Sequence, residues 1–370
     1  MEWTWSTRRW EILDPAPLLE GERLRGLIRA VPEDFVVEEV PAYEPDGGEG
    51  HLFLTLTKRG WTTDAALHEV ARQLGLPRGE IGVAGLKDRH ALTTQWISLP
   101  AAGAARHGDF QHADLQLGAP HPHRHKLRRG HLKGNRFRIT LRELDRPAAP
   151  ALELARDRAE RLAEAGGMGH LFGRQRFGPD GRNVDLGLRL LGQPRRLRPG
   201  DFALSALQGA LFNLFWCLRR ERGQLRTVLG GDILQKTETG GLFSSADPVT
   251  DQQRLEAGEL RITGPIFGAD RLVPPPDSPA RALEEEVLAA FGLARVQWTG
   301  LGKKAPGTRR ALQTQAGGLT IQAGGEGASL VLDFELEAGA FATRLLGEMA
   351  DWREAERGGA DPDLAQGTRA

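Results

Sequence analysis

Four consecutive residues, Lys87-Asp88-Arg89-His90, set one carboxylate among three groups that carry or can take up positive charge. A carboxylate near cations stays ionised, and an ionised Asp can act as a nucleophile or a base. The quartet sits in the stretch Gly82–Gln95, GVAGLKDRHALTTQ, with Gly85 just before it. Apolar runs at Ile81–Ala84 and Gln95–Leu99 flank it, so the pattern predicts strand, exposed loop, strand. The same four residues also fit a plain solvated turn. Neighbours in an extended segment point to opposite sides. Lys87 and Arg89 are therefore expected to face away from Asp88, and its ion-pair partner to come from a distant segment, with Arg29 the candidate.

Several elements must position this loop. Leu24–Ala30 and Phe35–Val40 read as strands joined by a turn at Pro32-Glu33-Asp34, and Phe35 opens the second as a core residue. His51–Thr57 alternates, with Leu52, Leu54 and Leu56 on one face. Trp61-Thr62-Thr63-Asp64 caps a helix that runs to Leu74 and stops at Gly75. Asn135–Leu141 alternates again: Asn135, Phe137, Ile139 and Leu141 share one face and Arg136, Arg138, Thr140 and Arg142 the other. An amide on an apolar face needs a partner, which a strand-end bond to backbone can supply. After a break at Pro147–Pro150, Ala151–Ala165 reads as a helix. Val184–Leu191, Phe202–Arg222, Leu225–Gly230 and Ala282–Phe291 then read as helices between Pro/Gly runs, a mostly helical block. Strands resume at Ala311–Ala323 and Ser329–Leu336, followed by a helix over Phe341–Trp352 whose first turn holds Phe341. The polar tail Glu356–Ala370 is expected to be disordered.

Composition narrows the classes. At 370 residues the chain is long for one core and suggests two domains. One cysteine, Cys217, rules out an intrachain disulfide and fits a reducing compartment. No apolar run is read as long enough to span a bilayer, and the start MEWTWSTRRWE lacks a signal-type apolar core, so a soluble cytoplasmic protein is expected. Forty-nine basic and forty-nine acidic residues give zero net charge, which argues against a uniformly basic nucleic-acid coat and leaves room for a local stripe. Such a stripe lies between His121 and Arg142. Its histidines, His121, His123, His125 and His131, lack a companion Cys or a helical HExxH pair and are interleaved with Arg and Lys, so phosphate contact fits better than a metal. No phosphate-cradling or dinucleotide motif occurs, and neither a metal nor a nucleotide cofactor is expected.

The stretch GLKDRHALTTQ also resembles the signature of the TruD family of tRNA pseudouridine synthases. Further blocks resemble that family in its own order: VPEDFVVEE (Val31–Glu39), GNRFRITLR (Gly134–Arg142), LFGRQRFG (Leu171–Gly178), TGPIFG (Thr263–Gly268) and AGAFATRLL (Ala338–Leu346). The resemblance runs from about Leu27 to Leu346. It implies an α+β fold with a mixed, mostly antiparallel pseudouridine-synthase sheet and flanking helices over residues 1–160 and 306–355. A mostly helical inserted domain would occupy 161–305, with tRNA in the cleft between. It implies an isomerase that converts uridine to pseudouridine at tRNA position 13, without cofactor. Asp88 would be the catalytic residue, attacking C1′ or C6 or deprotonating C2′. Phe35, Asn135, Phe137 and Phe341 would line the uridine pocket, with Asn135 reading a uracil edge. The expected partner is tRNA and the expected state a monomer. The competing reading is an RNA-binding or RNA-folding protein on the same scaffold that performs no catalysis.

Overall fold

Period-2 alternation in the segments around the Lys87–His90 loop builds the sheet that carries it. The computed structural model describes residues 3–355 apart from 194, 199, 270, 271, 299 and 326, and the expected disordered tail lies outside the described residues. The chain divides into two compact units. The first comprises Glu22–Arg158, Ala316–Gly339 and Met349–Ala370, and the second Met1–Gly21, Ala159–Gln315 and Ala340–Glu348. Relative to the boundaries expected at 160 and 306, this division moves the N-terminal residues, 306–315 and Ala340–Glu348 into the second unit.

In the first unit, strands β1 to β8 are Leu24–Ile28, Phe35–Pro41, His51–Arg59, Gly82–Val83, Leu92–Pro100, Leu115–Leu117, His121–His123 and Leu132–Leu141. A nine-stranded sheet runs in the order Gly317–Ala323, Leu330–Glu337, β8, β2, β5, β3, β6, with β4 added on β5 and β7 on β3. Its pairings are antiparallel except for β2 with β5. Register places Phe35 opposite Ile139, Val37 opposite Phe137 and Glu39 opposite Asn135, so these six side chains share one face. The helix Thr63–Leu74 packs Leu67, Val70 and Leu74 onto Leu54, Leu56, Ile97 and Leu99. The Thr62 hydroxyl accepts from the Ala65 N–H at its start, and Gly75 closes it in the left-handed conformation. The helix expected over Phe341–Trp352 stops at Met349, because Ala350–Glu354 pairs in parallel with β1. That long-range pairing overrides local helix preference.

The second unit is organised on the helix Phe202–Glu221. Its composition is apolar enough to cross a membrane, contrary to the sequence expectation, yet 89% of the apolar window is buried inside the protein. Leu225–Gly230 is not a helix. The buried Arg219, paired with Asp232 at 2.7 Å, takes the carbonyls of Gln224 and Thr227 as acceptors, and Gly223 turns the chain at φ 67. The unit also holds a four-stranded antiparallel sheet ordered Leu242–Ser244, Ile233–Lys236, Leu260–Ile266, Thr308–Ala311, which the helical texture of the sequence does not announce. From the Trp-rich N-terminus, Trp5 is buried here: it stacks on Phe291 with centroids 5.1 Å apart and donates through its indole N–H to Asp185.

Candidate active site

Although exposed, the loop between β4 and β5 is braced from below by buried side chains. The Thr63 hydroxyl accepts from the Lys87 N–H at 2.9 Å and donates to Gln95 Oε1 at 3.0 Å, while Gln95 Nε2 donates to the Gly85 carbonyl at 3.2 Å. Lys58 Nζ donates to the carbonyls of Asp88, at 2.6 Å, and Trp61, at 2.7 Å. Three elements, β3, the Thr63–Leu74 helix and β5, thus fix the backbone on either side of the Asp88 carboxylate. A group so held needs little reorganisation to react.

The Asp88 side chain itself is 54% exposed, and its partner is Arg29. Arg29 Nη2 donates to Asp88 Oδ2 at 2.9 Å and Nη1 to Glu354 Oε1 at 2.6 Å. The Arg29 guanidinium lies 4.1 Å from the Phe35 ring centroid, a cation–π contact. Its side chain is only 8% exposed, so one buried cation is shared by two carboxylates and an aromatic face. Arg29 also adopts φ 57, a left-handed conformation that costs a non-glycine residue about 1–2 kcal/mol. Such strain concentrates at functional sites.

Lys87 turns the other way. Its Nζ lies 2.6 Å from Glu39 Oε2 and 2.8 Å from Asn135 Oδ1. The other Glu39 oxygen accepts the Trp96 N–H at 3.2 Å. Gly134 precedes Asn135 on the opposite face of β8, where a Cβ would come within 2.3 Å of the Leu336 carbonyl oxygen, so only glycine lets the strand seat Asn135 at this depth. Phe35 and Phe137 meet edge to face at 6.3 Å, and Phe137 stacks on Phe334 at 5.3 Å. Both are almost wholly buried, with Arg29 and Phe334 covering ring faces, so they form the floor of the site and offer little open stacking surface. Phe341 keeps an exposed ring and belongs to the second unit. The structure therefore brings together Arg29, Asp88, Phe35, Phe137 and, through Lys87, Asn135.

The histidine run is engaged locally. His123 packs 4.2 Å from Phe53 and stacks on Tyr43 at 5.5 Å, while the Tyr43 hydroxyl is hydrogen-bonded to His131 Nδ1 at 2.7 Å. Among the described residues no group of three or more His, Cys, Asp or Glu side chains is placed to hold a metal ion. Arg124, Arg128, Arg129 and Lys133 project into solvent nearby in the chain.

The family model described as tRNA pseudouridine synthase D (TruD) matches residues 18–192 and 198–349. The chain belongs to the TruD family. It is 40% identical over 347 residues to the tRNA pseudouridine synthase D of Anaeromyxobacter sp. (strain Fw109-5), covering 90% of this chain and 95% of that one. It is 40% identical over 331 residues to a protein of the same name from Thermus thermophilus, covering 88% of each. A crystal structure of a putative tRNA pseudouridine synthase D (TruD) from Methanosarcina mazei has the same fold, with a TM-score of 0.72 at 23% identity over 92% of this chain and 97% of that one. The α+β fold with its mixed, mostly antiparallel sheet is thus that of the TruD family.

Lys58 has no place in the sequence reading, yet a signal for it exists. It continues the face of Leu52, Leu54 and Leu56, and a lysine on a core face must find acceptors. Within this TruD-family site it is fully buried, and burial pushes its pKa down to about 8, against the pull of the Asp88 carboxylate and with the repulsion of Lys87. Between about pH 8 and the ordinary lysine value near 10.5 the unfolded chain binds more protons than the folded one. Stability contributed by this group is therefore absent below pH 8, rises through that window and is complete above it. Relative to Lys58→Met, the wild type is expected to gain on the order of 3 kcal/mol across that range. Urea midpoints of both proteins at pH 7 and pH 10.5 check this, and parallel curves would contradict it.

Proposed function

We propose that this protein is a tRNA pseudouridine synthase that isomerises uridine 13 of tRNA, with Asp88 as its nucleophile. The observation that carries the reading is the Asp88 carboxylate, ion-paired to a buried arginine on a braced loop, in a chain of the TruD family. Pseudouridylation breaks the uridine N1–C1′ bond, turns the base and rejoins it through C5; the C5 proton is lost and N1 gains one, so the product is an isomer. Asp88 attacks C1′ or C6, or removes the C2′ proton. In each case it must be ionised and close to the sugar. Arg29 holds the ionised carboxylate in place and balances its charge until it attacks.

The target nucleotide leaves its stack to reach Asp88, which costs a few kcal/mol. Phe35 and Phe137 form the floor beneath it and the Asn135 amide meets the base edge; Phe341, which the TruD resemblance assigns to uridine binding, carries an exposed ring of the kind that stacks on a base, worth about 1–3 kcal/mol. Arg124, Lys126, Arg128, Arg129 and Lys133 meet the tRNA backbone. Residues 1–160 with 306–355 act as the catalytic part and 161–305 as the inserted part, in a cytoplasmic monomer that needs no cofactor. Mapping pseudouridine in tRNA from cells with and without this protein tests the reading. Loss of the modification at position 13 is the expected result, and an unchanged map would overturn it.

A further inference from the structure

A lysine ammonium donates hydrogen bonds and cannot accept them. The Asn135 atom 2.8 Å from Lys87 Nζ must therefore be the carbonyl oxygen; the flipped amide would set donor against donor. Lys87 cannot yield, because Glu39, with a side chain 0% exposed, holds it at 2.6 Å and is itself held by the Trp96 N–H. Glu39 and Asn135 are direct cross-strand partners, so β2 and β8 set this geometry before any substrate arrives. The Asn135 amide NH2 is left facing out of the cluster, and among the described residues it has no hydrogen-bond partner. A half-buried, pre-oriented donor with no partner is a recognition element in waiting.

We infer that the Glu39–Lys87 pair locks Asn135 as a donor toward O4 of the target base, and that this lock makes the site accept uracil and reject cytosine. The inference rests on the reading that the target uridine sits between Asp88 and Asn135. Asp88 takes the sugar end of that nucleotide. Lys87, its neighbour in the chain, turns to the opposite side and carries Asn135 at its tip, so the amide meets the base edge remote from the sugar, where O4 lies. Cytosine in the same pose presents its N4 amino group, donor against donor. A contact at O2 would not separate the two pyrimidines, because both carry it.

The test uses unmodified tRNA transcripts with U or C at the target position, bound to the full-length Asp88→Asn protein so that no turnover intervenes. Product in this background would overturn the catalytic reading by itself. The background protein is expected to prefer U by about tenfold or more. Adding Asn135→Asp keeps an acceptor for Lys87 but turns an acceptor outward, and is expected to cancel or reverse that preference. Adding Lys87→Met frees the amide to rotate and is expected to bring the ratio toward one. The Asp variant keeps the lysine paired and the fold intact even if the Met variant does not fold. If Asn135→Ala leaves both affinities unchanged, Asn135 does not touch the base and the reading beneath the inference fails. If Asn135→Ala weakens U binding while the Asp variant keeps the U preference, the lock is wrong and the reading stands.

Discussion

Asp88→Asn is expected to abolish pseudouridine formation, by more than about a thousandfold, and to leave tRNA affinity within a few-fold of wild type. An amide of the same size cannot form the ester or adduct that a carboxylate forms, nor take the C2′ proton. Removing the reacting group from a site of this kind costs far more than removing one of its supports. Affinity should survive because the carboxylate is paired with Arg29, and the loop is held by Thr63, Gln95 and Lys58 through backbone atoms the substitution leaves in place. The variant separates the two functional classes that the sequence admits. A protein that only binds or remodels RNA would behave as wild type with Asn at position 88. Single-turnover assays on an unmodified transcript, beside equilibrium binding of the same RNA, give both numbers. Turnover within tenfold of wild type would remove Asp88 from the mechanism.

Local pattern carried the parts of this site that depend on local forces. The alternation of Leu52, Leu54 and Leu56 and of Phe137, Ile139 and Leu141 marks β3 and β8, and Thr62 with Gly75 marks both ends of the helix under the loop. Opposed neighbours in an extended segment were enough to look for the Asp88 cation outside the quartet. What stayed hidden depends on pairing across the chain. No local pattern links Glu39 to Lys87 or Asn135; register sets it opposite Asn135 with Lys87 between them. Residues Ala350–Trp352 read as the end of a helix until β1 claims Ala350–Glu354 as a strand. The short strands of the second unit, such as Ile233–Lys236, are too brief for alternation to show. Lys58 falls between the two cases: its position was legible on the apolar face, while its acceptors, the carbonyls of Trp61 and Asp88, belong to backbone geometry that sequence does not display.

Arg29→Glu is expected to lower kcat by more than about a hundredfold. A hydrogen bond to a charged group is worth about 1.5–3 kcal/mol, equivalent to roughly 10- to 100-fold in rate if it is fully used in the transition state. Arg29→Met should therefore fall in that range. The Glu variant goes further, because it adds a third carboxylate to Asp88 and Glu354 at the place where both now meet a cation. Asp88 is half exposed, so repulsion can swing it into water and away from the sugar, whereas Arg29 is buried and has no comparable freedom. Arg29→Lys keeps the charge but cannot reach both carboxylates with separate nitrogens of a rigid fork, and should recover only part of the rate. Since Arg29 also ties Ala350–Glu354 to β1 through Glu354, thermal melting must accompany the kinetics, and rates should be compared at a temperature where every variant is folded. The decisive pattern is a fall in kcat in the order Lys, Met, Glu with tRNA affinity nearly constant. Wild-type kcat in a folded Arg29→Glu protein would show that the ion pair does not serve the chemistry at Asp88.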